Sequence, residues 1–291
     1  MSPGYQTLSH PELVLTGIET QGEERQASHS QLPQNPRSDR LPLAQATLLH
    51  PSGSPQARLV SLTRNGGLGA EKFLLLSTRL KHLQEQHRLK RVVLTSSVKS
   101  EGKSLVAANL AISLARSTKQ KVLLLEGDLR SPVLSRLFGE SKFKGLTELL
   151  RQEEPPEKFL CHMAGLPLWV LFAGTLRDRP LELLQSSRLP QLLTQFTESF
   201  DWILIDAPPL LPLADASLWA RLSDGVLLVI RENRTSKKIL QKALDSLGKA
   251  ALLGLVLNEA SSLDQNYYED STGRPAGKNL RGKHDENGAG S

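Results

Sequence analysis

Lys103 and Ser104 end a short loop whose residue types and position could bind phosphate. The loop follows the apolar run RVVLT and precedes the helical pattern LVAANLAISLARS. In loops of this layout, backbone N–H groups contact phosphate oxygens, the lysine neutralises the β- and γ-phosphates, and the serine hydroxyl binds Mg²⁺. Ser97 and Ser100 stand where glycines are usual, so the loop must turn without their freedom at φ > 0. We therefore expect a nucleotide and Mg²⁺ here, contacted by Ser100, Glu101, Gly102, Lys103, Ser104 and Leu105.

Acidic residues follow the next apolar runs of the chain. Glu126 and Asp128 come after KVLLL, and Asp206 comes after WILI. Mg²⁺ prefers one or two carboxylates together with phosphate oxygens and water, and such carboxylates also orient an attacking group. Each acid alone would more simply be a solvated loop end or a helix cap, but three placements after apolar strands favour a shared site. We predict Ser104, Glu126, Asp128 and Asp206 as metal ligands, and Lys103, Asp128 and Asp206 as catalytic residues.

Six apolar runs, in which apolar and polar residues do not alternate, could form the strands that position these residues. Segments of helical period separate the runs, which is typical of a parallel sheet covered by helices on both faces. The expected fold class is α/β, a doubly wound and mostly parallel sheet of the P-loop NTPase kind. In such sheets ligands bind outside the carboxyl ends of the strands, where the loop and the acids fall. The runs are 91–95, 121–125, 168–172, 202–205, 225–230 and 253–257.

The 291 residues divide by composition into three segments. Residues 1–69 are rich in Gln, Ser, Pro and Gly, and we expect them to form a disordered arm. Residues 70–265 contain all six apolar runs and are expected to form one nucleotide-binding domain. Residues 266–291 are polar and are expected to form a disordered tail that carries a tyrosine pair, Tyr267 and Tyr268.

Charge and cysteine content narrow the compartment and the partners. The net charge of +6 lies in the middle segment, which suits a phosphorylated ligand. No run of five or more Lys or Arg occurs, so we expect no nucleic-acid partner. A single cysteine, Cys161, excludes an intrachain disulfide and favours a reducing compartment. Met1–Thr20 lacks a signal-peptide pattern, and Ala164–Leu176 is shorter than the roughly 20 residues of a spanning helix. We expect a cytoplasmic protein that reaches the inner face of the membrane only through a partner.

Several segments together resemble the bacterial tyrosine kinases (BY-kinases) of capsular and exopolysaccharide synthesis. The similarity covers about 71–260 and includes TSSVKSEGKS followed by AANLA, the segments LLLEGDLRSP and FDWILIDAPP, the strand DGVLLVIR, and VLN. The first three correspond to the Walker A, A′ and B motifs of that family. The resemblance implies that Lys103 and Ser104 bind phosphate and Mg²⁺, and that Asp128 and Asp206 bind Mg²⁺ or assist the attacking hydroxyl. Asn258 would contact the adenine, as in related ATPases.

The resemblance also implies an activity and partners. It points to an ATP-dependent autokinase that phosphorylates tail tyrosines, here Tyr267 and Tyr268, and so regulates polysaccharide polymerisation or export. A membrane activator of the polysaccharide co-polymerase kind would be needed. The family usually has aspartate where Glu126 stands. It also has two arginines, used in ring formation, where this chain has Leu74 and Ser77, so a homo-oligomer is left open.

Two other functions fit parts of the pattern. The departures at the loop, at Glu126 and in the tail would suit a nucleotide-binding scaffold of the same machinery that has lost kinase activity. A partitioning ATPase of the ParA/MinD type would share the sheet. Such ATPases carry a signature lysine five residues before the loop lysine, where this chain has Val98. The kinase is therefore the favoured hypothesis.

Overall fold

A single sheet runs through the part of the chain that the computed structural model describes, namely residues 40–50, 58–62, 67–139, 143–175, 179–212 and 215–259. Its strands are β1 (Thr47–Leu49), β2 (Arg91–Ser96), β3 (Val122–Glu126), β4 (Cys161–Met163), β5 (Leu168–Leu171), β6 (Trp202–Asp206), β7 (Gly225–Arg231) and β8 (Leu252–Asn258). They lie in the order β1-β4-β5-β3-β6-β2-β7-β8. Every neighbouring pair is parallel except β4 and β5. All of these residues belong to one compact unit, Pro11–Ala260.

Helices fill the connections between the strands. The α-helices of the described residues are α1 (Leu68–His87), α2 (Lys103–Thr118), α3 (Leu134–Leu137), α4 (Leu146–Arg151), α5 (Pro180–Leu184), α6 (Arg188–Ser199), α7 (Asp215–Arg221) and α8 (Lys237–Leu247). Short 3-10 turns occur at Leu43–Gln45, Val60–Leu62 and Pro156–Phe159. Within the described ranges, none of the helices has the length and hydropathy that crossing a bilayer requires.

The central strands are buried on both faces, and this confirms the predicted doubly wound α/β fold. In β2, Val92 and Leu94 pack in the cluster that contains α1 and α2, whereas Val93 packs in the cluster that contains α4 to α8. Successive strand side chains point to opposite faces, so a strand covered on both sides must be apolar at every position. That requirement explains the unalternating runs in the sequence.

The structure adds elements that the sequence did not indicate. Strand β1 and the turn Leu43–Gln45 lie in the segment that was predicted to be disordered, so that prediction is wrong for these residues. Strand β1 pairs in parallel with β4, and β4 pairs antiparallel with β5. Both added strands have three residues, which is too short to produce a recognisable pattern. Residues 1–39, 51–57, 63–66 and 260–291 are outside the described ranges, and the domain limits at 69 and 265 stay predictions.

Candidate functional site

The phosphate loop connects β2 to α2 at the carboxyl edge of the sheet. Gly102, immediately before α2, has φ 88°, and its carbonyl accepts the Val106 N–H at 3.0 Å. The loop borders a cavity of about 380 Å³, which lies in the usual range of ligand sites, roughly 300–1,000 Å³. Five of the six residues predicted from the loop line this cavity: Ser100, Gly102, Lys103, Ser104 and Leu105. The sixth, Glu101, has a buried side chain that points into the protein.

Lys103 lies between the two predicted aspartates. Its Nζ is 2.9 Å from Asp128 Oδ2 and 3.3 Å from Asp206 Oδ1, and it donates to the Ser104 hydroxyl at 3.1 Å. Burial alone would lower the pKa of Lys103, but attraction to Asp206 and Asp128 outweighs it and raises the pKa above its ordinary 10.5. Lys103 is therefore a charged ammonium held next to two acids.

Asp206 ends β6 and is fully buried. Its Oδ2 atom has no hydrogen-bond partner among the described residues. Burial raises the pKa of Asp206 above its ordinary 3.8, attraction to Lys103 opposes this change, and repulsion from Asp128 adds to it. A buried carboxylate oxygen without a partner is unfavourable, and a cation or a bound water would relieve that cost.

Asp128 is the acid that faces the cavity. It lines the cavity together with Ser104, and its Oδ1 accepts the Ser131 N–H at 3.1 Å. No described group of three or more His, Cys, Asp or Glu side chains could hold a metal ion by itself. Asp128, Asp206 and the Ser104 hydroxyl do fit Mg²⁺, because this ion takes only one or two carboxylates and completes its shell with phosphate oxygens and water.

Glu126 was predicted as a metal ligand, but its carboxylate is taken up by backbone N–H groups. Oε1 accepts the N–H groups of Val133 and Leu134, both at 2.6 Å, and Oε2 accepts the Ala173 N–H at 2.9 Å. Burial raises the pKa of Glu126 to about 7 although these three donors lower it. Glu126 is thus better placed to join the loop after β3 to the loop after β5 than to bind a metal ion.

Asn258 was predicted to contact the adenine. It ends β8, and its Nδ2 donates to the Glu101 carbonyl at 2.9 Å. A Cβ atom added to Gly102 would come within 2.0 Å of the same nitrogen. The Asn258 amide therefore holds the backbone of the phosphate loop. Because the amide lies so close to Gly102, a side chain at residue 102 would clash with it, and this explains why glycine is needed there.

Arg130 is a residue of the cavity that the sequence did not single out. Its Nε donates to Asp215 Oδ2 at 2.7 Å, and its Nη2 donates to Oδ1 at 3.3 Å. Asp215 is buried at the start of α7, and this fixes the guanidinium at the cavity wall. The sequence signal that could have identified Arg130 was its position in the segment DLRSP, two residues after Asp128. The hydrogen bond with Asp215 raises the pKa of Arg130 above its ordinary value.

Comparisons with known proteins test the predicted family. No family model matches the chain. The tyrosine-protein kinase YwqD of Bacillus subtilis (strain 168) is 33% identical over 205 residues, which cover 70% of this chain and 86% of YwqD. The chain belongs to the BY-kinase family. This bears out the predicted family and its protein-tyrosine kinase activity.

Other relatives of this BY-kinase extend the comparison. The succinoglycan biosynthesis transport protein ExoP of Rhizobium meliloti (strain 1021) is 29% identical over 236 residues, which cover 79% of this chain and 29% of ExoP. The crystal structure of the VpsO kinase domain superposes with a TM-score of 0.60 at 31% identity, over 67% of this chain and all of that domain. The cell division ATPase MinD of Pyrococcus furiosus reaches a TM-score of 0.51 at 26% identity, over 64% and 80% of the two chains. The fold is shared with MinD, and the fuller matches are to kinases.

The two positions where the family has arginines differ in environment in this BY-kinase. Leu74 on α1 is 48% exposed, whereas Ser77 is completely buried. The Ser77 hydroxyl donates to the Leu74 carbonyl at 2.8 Å and accepts from Ser113 on α2 at 3.1 Å. An arginine could not occupy residue 77 without moving α1 away from α2. Tyr267 and Tyr268 lie outside the described residues, so their role as phosphorylation sites stays a prediction.

Proposed function

We propose that this BY-kinase binds Mg²⁺ and ATP in the cavity at the phosphate loop and transfers the γ-phosphoryl group to Tyr267 and Tyr268 of a second copy of the chain. One observation carries the proposal. Lys103 is held at the loop by Asp128 and Asp206, so the cation for the phosphates and the acids for Mg²⁺ are already together.

ATP binding requires Lys103 to exchange partners. Its ammonium would turn from the carboxylates to the β- and γ-phosphates, where the N–H groups at the start of α2 also converge. This turn leaves Asp128 and Asp206 without their cation. Mg²⁺ bound with ATP would restore the positive charge beside them and neutralise charge on the phosphates. The Ser104 hydroxyl is adjacent to Lys103 Nζ and is placed to bind the same ion.

Asp128 is the residue proposed to accept the proton of the tyrosine hydroxyl. It lines the cavity, whereas Asp206 is fully buried. The phenolic oxygen forms a bond to the γ-phosphorus while the bond from this phosphorus to the β,γ-bridging oxygen breaks. The products are phosphotyrosine and ADP, and the phenolic proton passes to the Asp128 carboxylate. Lys103 and Arg130 contribute positive charge at the cavity during this transfer, which is mainly a matter of position and charge.

A polysaccharide role follows from the family. BY-kinase relatives act in capsule and exopolysaccharide synthesis, and ExoP is named for succinoglycan transport. The match to ExoP covers 29% of that protein, so the kinase part there is joined to a much longer chain. We propose that a separate membrane protein of the co-polymerase type provides the remaining parts, activates this kinase, and keeps it at the inner face of the membrane.

The test is incorporation of phosphotyrosine into the full chain with Mg²⁺ and ATP. Lys103→Met should remove it because the phosphates lose their cation, and Tyr267→Phe/Tyr268→Phe should remove the acceptors. Mixing these two variants distinguishes transfer between copies of the chain from transfer within one copy. The second variant is an intact enzyme without acceptors, and the first is an acceptor without activity, so phosphotyrosine should appear on the Lys103→Met chain.

Two results would contradict the proposal. Phosphotyrosine at unchanged level in the Tyr267→Phe/Tyr268→Phe variant would place the acceptors elsewhere. Wild-type chain that binds ATP and gains no phosphotyrosine, even with the cytoplasmic part of its membrane partner, would favour the nucleotide-binding scaffold.

A further inference from the structure

The phosphate loop has a shape that its own sequence disfavours. Ser100 has φ 67°, in the left-handed region. Residues with a Cβ atom seldom adopt this region, because the Cβ atom comes too close to the following carbonyl oxygen. Glycine would adopt it freely. The loop of this chain therefore needs contacts from outside that keep Ser100 in place.

Thr235, in the turn after β7, supplies one such contact through Glu101. Its hydroxyl donates to Oε1 of Glu101, and Oε2 of the same carboxylate accepts the Val98 N–H at 2.9 Å. Glu101 is 1% exposed, so water does not compete for these bonds. One buried carboxylate thus joins both ends of the loop turn around Ser100 to Thr235.

Arg231, the last residue of β7, supplies a second contact. Its guanidinium donates to the Ser100 carbonyl at 3.4 Å and pairs with Glu259. The Arg231 N–H donates to the Thr235 hydroxyl at 3.2 Å, so both side chains belong to one closed turn. Neither residue lines the cavity at the phosphate loop. Their effect on nucleotide must therefore pass through the loop.

We propose that Thr235 and Arg231 are positioning residues that hold the phosphate loop in its nucleotide-binding shape, a shape that Ser100 by itself disfavours. The inference rests on the proposed binding of ATP at this loop. If the contacts are lost, Ser100 leaves the left-handed region in part of the population. Apparent affinity for ATP then falls in proportion to the fraction of molecules that keep the binding shape.

The experiment is a double-mutant cycle between residues 235 and 100. Thr235→Val removes the hydroxyl at nearly constant volume and leaves the buried Glu101 oxygen without its donor. We expect the KM and Kd for ATP to rise about tenfold, with a much smaller change in kcat. Thr235→Ser keeps the hydroxyl and should behave like wild type. Thermal unfolding without nucleotide monitors the fold of each variant.

Ser100→Gly is the decisive partner in the cycle. Glycine reaches the φ of 67° found at this position without support. Relative to Ser100→Gly alone, the Ser100→Gly/Thr235→Val chain should therefore keep most of its affinity for ATP, so that glycine recovers what Thr235→Val loses in the wild-type background. Arg231→Gln in place of Thr235→Val should show the same recovery. A merely structural role would lower stability equally in both backgrounds and would give no rescue of KM.

The outcomes separate this inference from the function on which it rests. Wild-type binding of ATP with an unchanged KM for Thr235→Val overturns the positioning role alone. If Thr235→Val loses as much affinity in the Ser100→Gly background as in the wild-type background, the positioning role is also overturned, because the contact would then not act on the serine conformation. Failure of the wild-type chain to bind Mg²⁺ and ATP at all overturns both.

Discussion

Glu126 makes the stability of this kinase depend on pH, and the substitution Glu126→Gln tests this. Two influences compete at the carboxylate. Three backbone donors favour its ionised form, whereas complete burial favours the neutral form. Burial is the larger, and the pKa rises from its ordinary 4.5 to about 7. Because the folded-state pKa is raised, the stabilising contribution is present in full below pH 4.5 and is lost as pH rises through 7.

The size of the effect follows from the two pKa values. Each unit by which the folded and unfolded pKa values differ corresponds to about 1.36 kcal/mol. The shift from 4.5 to about 7 then gives a total of about 3 kcal/mol, most of which is lost between pH 5 and pH 8. Glutamine does not titrate in this range. Its NH₂ group would oppose at least one backbone N–H, which adds a constant cost but no slope.

Urea unfolding between pH 5 and pH 8, without nucleotide or metal, measures the effect. The free energy of unfolding of wild type should fall relative to that of Glu126→Gln by about 2–3 kcal/mol over this range. Asp206 also has a raised pKa, and the comparison with the variant largely cancels its contribution. Parallel pH profiles would refute the reasoning, because they would show that the three amide donors keep Glu126 ionised throughout.

Three further pairs of substitutions test the packing and charges of the site. Lys103→Met should lower the free energy of unfolding by a few kcal/mol in the absence of nucleotide, because two buried acids lose their cation. The control Lys158→Met removes an exposed ion pair and should change the free energy of unfolding by less than about 1 kcal/mol in the same urea assay. Gly127→Ala should lower the free energy of unfolding by about 1–3 kcal/mol, since the added Cβ would lie 2.8 Å from the Trp219 ring. In the control Gly67→Ala the added Cβ meets nothing within 4 Å, and the loss should be under about 1 kcal/mol. Asp215→Asn should release Arg130 and reduce phosphotyrosine formation, and Arg130→Lys should do the same if the fixed guanidinium matters; full activity in both would exclude that role.

The sequence predicted those parts of the site that depend on chain order and burial. Long unalternating runs located six of the eight described strands, and the loops at their carboxyl ends then had to meet on one side of the sheet. Lys103, Asp128 and Asp206 come together for that reason. Helix α8 was predicted at its observed limits, Lys237–Leu247, because its apolar residues follow the helical period closely.

The remaining features depend on side-chain direction, which chain order does not determine. Strand register places Glu126 directly beside Asp206, so both were reasonable metal ligands. The Glu126 carboxylate instead accepts N–H groups of Val133 and Leu134 in its own loop and of Ala173 after β5, and the last of these donors is 47 residues away in sequence. Thr235 gave no signal at all, since a lone threonine after a strand is common. Its importance appears only with Glu101 and the φ angle of Ser100.

Two of the departures from the family pattern at this site, at residues 126 and 100, are matched by partners in the structure. Glutamate at residue 126 is one methylene longer than aspartate, and the extra length lets its carboxylate reach N–H groups of two neighbouring loops. Serine at residue 100 is matched by Arg231 at its carbonyl. With both changes present, Lys103 still forms its ion pairs with Asp128 and Asp206. The departures therefore alter how the loops are held and leave the groups proposed for chemistry in place, which is the pattern expected of a working kinase whose scaffold has diverged rather than of one that has lost its activity.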